Sequence, residues 1–204
     1  MEKKGYLAIL LVVLLAACQL KPAAPGSTLY QDDFSDAGSG WSKGDDHASL
    51  IDYVAGGLRI YIKESHAARV STPGLRFQDT QIGVDATRLT GPENNSFGIV
   101  CRLQDKNNFY FFQISSDGYY GIGKYKDGKL SLIGATQMQS YDAIGKASNH
   151  LRADCAGDTL SLYINGRKIA EVKDDDFSAG DVGLIAGTFD KAGTDIYFDH
   201  FIVK

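Results

Sequence analysis

The side chains able to do chemistry are thinly spread along this chain of 204 residues. A retaining glycosidase needs two carboxyls about 5–5.5 Å apart, one as acid and one as nucleophile. The glutamates are Glu2, Glu64, Glu93 and Glu171, and no two stand at a spacing that one strand would bring together. Asp195 and Asp199 would share a face of the closing strand, while Asp174-Asp175-Asp176 reads as a solvated turn. His47, His66, His150 and His200 show no metal-ligand spacing and read as surface or internally satisfied residues. The one Gly-x-Ser-x-Gly spacing, Gly40-Trp41-Ser42-Lys43-Gly44, follows a Ser/Gly-rich loop with no helix pattern after it and is not a nucleophile elbow. No phosphate loop occurs, and Gly121-Ile122-Gly123 lies in a strand pattern with no helix after it. What recurs is aromatic. Tyr and Trp offer flat faces that stack on the C–H-rich faces of sugar rings, with polar tips that fix orientation. Trp41, Tyr110, Tyr119, Tyr120 and Tyr125 are the candidate stacking surfaces, with Arg102 and Asp154 as hydrogen-bonding groups. Core packing is the competing use of each ring.

The stretch from Phe97 to Ile133 must position most of these. Phe97–Leu103, Phe109–Ile114, Tyr119–Tyr125 and Leu130–Ile133 are apolar runs separated by short turns, two of them centred on Asp117-Gly118 and Asp127-Gly128. Asp-Gly suits type I′ hairpins, whose two central residues both need positive φ. The pattern predicts a four-stranded antiparallel meander. Setting Leu103 opposite Phe109 puts Cys101 opposite Phe111, with Phe97, Ile99 and Gln113 on that side. The second side then holds Gly98, Val100, Arg102, Tyr110, Phe112 and Ile114, and a two-residue Asp117-Gly118 turn adds Gly121, Gly123 and Tyr125. Both sides are apolar, unlike a half-solvated sheet. Two readings fit: strands covered on both sides, or a second face shaped as a groove in which glycines leave room. A slip of one residue would exchange the faces.

The remaining apolar runs are also strand-like. They are Leu29–Phe34, a hairpin of Ala48–Ala55 and Gly57–Lys63 around Gly56-Gly57, then Arg69–Thr72 and Thr80–Leu89. Leu151–Cys155, Thr159–Ile164, Lys168–Val172, Val182–Thr188 and Thr194–Val203 follow, with Asn165-Gly166 a strong hairpin turn. Gly134–Asn149 is the least regular segment, with room for one helical turn near Tyr141–Ile144. No helix of ordinary length is required, so the expectation is all-β: a two-sheet antiparallel sandwich or jelly roll. Asn94-Asn95-Ser96 matches a glycosylation sequon and reads as chance.

Lys3 and Lys4 precede an apolar run from Tyr6 to Ala17, which is too short to span a bilayer and reads as a signal peptide. It ends in Leu15-Ala16-Ala17-Cys18, which resembles the bacterial lipobox. That resemblance implies removal of residues 1–17 and diacylglyceryl and palmitate-type acyl chains on Cys18, enough for a stable membrane anchor. With Gln19 next, it also implies the outer membrane in a diderm cell, or otherwise the outer face of the cell membrane. Residues 18–28 are then a polar tether and 29–204 one domain. The processed chain has 19 basic against 24 acidic residues, net −5, which argues against nucleic acid as a partner. Cys101 and Cys155 remain, and strand alternation points both inward. In an exported compartment they form a buried disulfide across 54 positions, with two buried free thiols as the alternative.

Asp32-Asp33-Phe34 with Trp41, and the closing Ile196-Tyr-Phe-Asp199-His-Phe201-Ile-Val, resemble the concanavalin A-like lectin/glucanase superfamily. Asn149-His-Leu151, Gly157-Asp158, Leu162-Tyr-Ile-Asn165-Gly166 and Asp181-Val-Gly183-Leu resemble its laminin-G-like and 3-keto-disaccharide-hydrolase-like jelly rolls. The resemblance covers residues 29–204 and implies a concanavalin A-like jelly roll. The Glu-x-Asp-x-x-Glu pattern of its laminarinase-like enzymes is missing. It also implies that Asp33 and Asp199 match positions of a structural calcium site, calcium preferring hard oxygen ligands; no cofactor is otherwise required. The expected function is a lipid-anchored, extracytoplasmic, non-catalytic carbohydrate-binding domain. A structural or protein-interaction module of the envelope is the first alternative, and a glycoside or keto-sugar hydrolase the second.

Overall fold

The structure, a computed structural model, describes residues 26–204. The expected signal segment, Cys18 and most of the tether lie outside the described residues. The strands in chain order are β1 (Tyr30–Asp32), β2 (Gly44–Asp45), β3 (Ser49–Val54), β4 (Gly57–Ile62), β5 (Ala68–Ser71), β6 (Thr80–Thr90), β7 (Asn95–Asp105) and β8 (Asn108–Ile114). They continue as β9 (Tyr119–Lys126), β10 (Lys129–Leu132), β11 (Gln139–Ser140), β12 (Ser148–Ala156), β13 (Thr159–Ile164), β14 (Arg167–Lys173), β15 (Asp181–Thr188) and β16 (Thr194–Val203).

Two antiparallel sheets face each other. One has nine strands in the order β14-β13-β12-β6-β16-β4-β3-β2, with β1 beside the end of β16. The other has seven in the order β10-β9-β8-β7-β15-β5, with β11 beside β9. The fold is the all-β jelly-roll sandwich that the strand pattern predicts. Alternation drives it: Ile82, Val84 and Ala86 of β6, Leu151, Ala153 and Cys155 of β12, and Leu58, Ile60 and Ile62 of β4 are all buried. They pack against Phe97, Ile99, Tyr110, Phe112, Leu184 and Ala186 of the facing sheet. Each fully buried side chain of this size contributes roughly 1.5–3 kcal/mol. Cys101 on β7 and Cys155 on β12 are joined as a disulfide that ties the two layers together. Asp127-Gly128 and Asn165-Gly166 are both left-handed at each residue, as type I′ turns require.

The meander forms, but its register departs from the expectation twice. Arg102 adopts φ 52° and bulges β7, so Cys101 faces Tyr110 and Val100 faces Phe111. The loop after β8 is longer than two residues, and Ile114 pairs with Tyr120. The two shifts cancel beyond β8. Gly121, Gly123 and Tyr125 therefore keep the face assigned to them, while β8 alone is turned over. Tyr110, Phe112 and Ile114 point into the core, and Phe109 and Phe111 join Val100 and Ile185 in a second apolar cluster on the outer face. The outer face is covered by its own side chains: Tyr125 stacks on Phe109 with ring centroids 4.9 Å apart.

Candidate functional site

Of the expected stacking surfaces, Trp41 and Tyr110 are corrected to core residues. Trp41 packs edge-on against Phe34 and Phe201, and its Nε1 donates to Asp32 (3.0 Å) and to the Tyr30 hydroxyl (3.2 Å). It fastens the opening segment onto the last strand. The Tyr110 hydroxyl donates to Asp174 (2.6 Å) and accepts from the Phe177 amide (3.1 Å). Burial, then the bond to Asp174, pushes that phenol far above its usual range.

Arg102 is corrected as well. It is 2% exposed, and its guanidinium donates to Gln78 O, Gly157 O, Phe177 O and the Asp79 carboxylate. It gathers backbone from three separate segments, and no surface remains for a ligand. Asp154 lies elsewhere, held bidentate by Arg152, which lies over the Tyr163 ring at 3.6 Å. Asp174 and Asp176 are not a solvated turn either, since Lys124 reaches both and Lys126 reaches Asp176.

The two carboxylates expected at a calcium site are each taken up locally. Asp33 accepts from the Ser35 amide (3.0 Å) and hydroxyl (2.6 Å), and these two bonds, hydroxyl first, hold its carboxyl below the usual range. Asp199 accepts from the His200 amide (2.7 Å). No group of three or more His, Cys, Asp or Glu that could hold a metal forms among the described residues.

Tyr119, Tyr120 and Tyr125 remain at the surface or at a cleft. Tyr120 faces inward and lines a cleft of about 620 Å³ where β9 and β14 part, with Ile122, Ile133, Ile169 and Val172. Thr136, Gln137, Gln139 and Glu171 add polar groups to its lining, but Tyr120 is its one aromatic ring. Tyr119 and Tyr125 lie on the opposite side of β9, along a trough made of three joined hollows. The first, about 220 Å³, sits on the outer face of the seven-stranded sheet with Ser96, Gln113, Tyr125 and Leu130. The middle one, about 520 Å³, turns over the sheet end with His66, Ser115, Asp117, Tyr119 and Asp190. The last, about 500 Å³, runs between the loop Gly91–Asn94 and Asp190–Ala192. His66 and Phe189 line both the first and second hollows, and Asn94 and Asp190 both the second and third.

The trough walls are held by a buried polar network. The Asn95 side chain donates to Pro92 O (2.8 Å) and Ser116 Oγ (3.1 Å) and accepts from the Ser116 amide (3.0 Å). Ser115 Oγ accepts from the Asn95 amide (3.2 Å) and lies within reach of Glu93 O (3.1 Å) and the Asp117 carboxylate. On the facing wall Thr188 Oγ1 donates to Glu64 O (2.6 Å), and the His66 amide donates to Phe189 O (2.8 Å). His66 is left-handed at φ 53°, an uncommon conformation for a residue with a side chain. A rigid frame thus presents exposed tips: Tyr119, 44% exposed, with His66, Asp117 and Asp190. Sequence reading passed over His66, Asp117, Phe189 and Asp190. They come from three loops, and only the turn signal at Asp117-Gly118 pointed near any of them.

No family model matches the chain, and no curated protein matches it in sequence. Solved structures do match in shape. The carbohydrate-binding module CBM66 from Bacillus subtilis superposes with a TM-score of 0.66 at 17% identity, over 81% of this chain and 95% of that one. A Bacillus subtilis protein of unknown function with a galectin-like fold gives 0.63 at 14%, over 87% and 96%. The Bacillus licheniformis β-glucanase gives 0.63 at 9%, over 89% and 99%. What these likenesses establish is the fold, a concanavalin A-like two-sheet sandwich.

Proposed function

We propose that the chain is a membrane-anchored, extracytoplasmic lipoprotein whose jelly-roll domain binds carbohydrate in the trough without turning it over. The observation that carries the binding is the middle hollow, where the exposed ring of Tyr119 stands beside Phe189, His66, Asn94 and two carboxylates. Aromatic faces with polar groups at their rims suit sugar rings. The shape shared with a carbohydrate-binding module supports the reading. Anchoring is supported by Leu15-Ala16-Ala17-Cys18 after the apolar run. Labelling of cells with an alkyne fatty acid should mark the protein, and Cys18→Ser should abolish the label.

A glycan array probed with the full-length chain in detergent micelles tests the binding. Some glycan class should be retained, and Tyr119→Ala should lose it with an unchanged melting temperature. If no glycan is retained, the reading is wrong.

One feature favours turnover as a second reading, because Asp117 and Asp190 line the same hollow. Both are exposed, whereas an acid catalyst needs a dry setting. Release of reducing ends from a bound glycan, lost in Asp117→Asn, would establish hydrolysis instead.

A further inference from the structure

We infer that the middle hollow selects glycans bearing free amino groups, of the glucosamine type, over neutral or uronic ones; this rests on the carbohydrate reading above. The fixed charges lining that hollow are two carboxylates, Asp117 and Asp190. Among the described residues neither meets a lysine or an arginine. Asp117 is bound by the Ser115 hydroxyl, and Asp190 has the His66 imidazole at 3.8 Å. Carboxylates nearby are treated otherwise: Glu93, in the adjoining hollow, is paired with Arg88 and Lys146. That adjoining hollow shares Asp190 but also contains Lys191, whereas no lysine or arginine lines the middle one.

Three properties converge on an ammonium-bearing sugar. Carboxylates attract its charged amine, and the frame described above fixes the Asp117 loop so that little is lost on ordering it. The negative face of the Tyr119 ring attracts the same cation, while the Tyr119 and Phe189 rings remain available to the sugar's apolar faces. A uronic chain would meet two like charges, on a protein whose formal charge is already −4. N-acetylation removes the positive charge but keeps the ring, so it separates charge recognition from stacking.

The test is calorimetric titration of the full-length chain in micelles with chitosan, chitin, cellulose and oligogalacturonate hexamers. The chitosan hexamer should bind about tenfold tighter than the chitin hexamer, the scale of two partly exposed ion pairs. That advantage should shrink at high salt. Asp117→Asn/Asp190→Asn should bring the two affinities together, lowering that of the chitosan hexamer far more than that of the chitin hexamer. Equal binding of charged and N-acetylated hexamers, or a preference for the uronic one, overturns the inference and leaves the carbohydrate reading standing. Binding of no oligomer, with none retained on the array, removes both. Should the double variant melt early, Asp190→Asn alone serves, since that side chain is 83% exposed and its loss leaves the wall network intact.

Discussion

The ring of Phe111 occupies the space beside Gly123 that a side chain would need. A Cβ at Gly123 would stand 2.3 Å from the Phe111 ring and 2.6 Å from Ser131 O. The strand glycines therefore make room for the protein's own outer cluster rather than for a ligand. Ser131 O is backbone and moves only with β10. Gly123→Ala is expected to cost about 2–3 kcal/mol through overpacking, read as a drop in melting temperature of about 4–12 °C. An unchanged melting temperature would show that β10 is free to lift away.

Arg102 should matter for stability and not for binding. Arg102→Met strands the carbonyls of Gln78, Gly157 and Phe177, a loss of about 2–4 kcal/mol. Its ionic partner Asp79 is 65% exposed, so the ion pair itself contributes little. Urea unfolding should show a lowered midpoint for Arg102→Met and a far smaller change for Asp79→Asn. Equal effects would mean that the charge, rather than the carbonyl bonds, holds the segments.

The disulfide makes a separable contribution. Cys101 and Cys155 close a loop across 54 positions, worth about 4 kcal/mol in the chain-entropy account. The double variant Cys101→Ala/Cys155→Ala should unfold at lower urea yet keep its glycan affinity, because the trough lies at other residues. Loss of affinity in a folded double variant would contradict that separation.

Acid should release the Asp174 network. Burial alone would push Asp174 up, but the Lys124 ammonium, then the Tyr110 hydroxyl, override it and hold the carboxyl below its usual value of 3.8. A depressed native value means stability is fully present above pH 3.8 and fades as pH falls through the lower native value. Melting temperature followed from pH 6 down to about pH 2.5 should fall in the wild type. Asp174→Asn should start lower and fall less steeply. A parallel fall in both would remove Asp174 as a cause.

Trp41 and Tyr119 should part company. Trp41→Phe loses the bonds to Asp32 and Tyr30 and is expected to lower stability by about 1–3 kcal/mol without changing binding in the folded protein. Tyr119→Ala should do the reverse, removing array binding at an unchanged melting temperature.

Features set by neighbours in the chain were legible from the sequence. Asn165-Gly166 and Asp127-Gly128 are read directly, since each needs only its own two residues in left-handed geometry. The pairing of Cys101 with Cys155 follows from alternation on two strands, which survives small errors in strand ends. The turned-over β8 was not legible, because the bulge at Arg102 depends on carbonyls 24, 55 and 75 positions away. Assigning Trp41 and Tyr110 to a groove failed for the same reason: their polar tips are satisfied by Asp32 and Asp174, and only tertiary contact shows it. The trough belongs to loops with no shared periodicity, so composition hinted at its chemistry and nothing local hinted at its place.

The Leu29 amide donates to Val203 O at 2.8 Å, so residues 29 and 203 meet at one end of β16, whereas the middle hollow lies beyond its other end, beside the Asp190–Ala192 turn that leads into that strand. A fluorescent protein fused after Lys204 should therefore emerge beside the start of β1 and leave the trough clear.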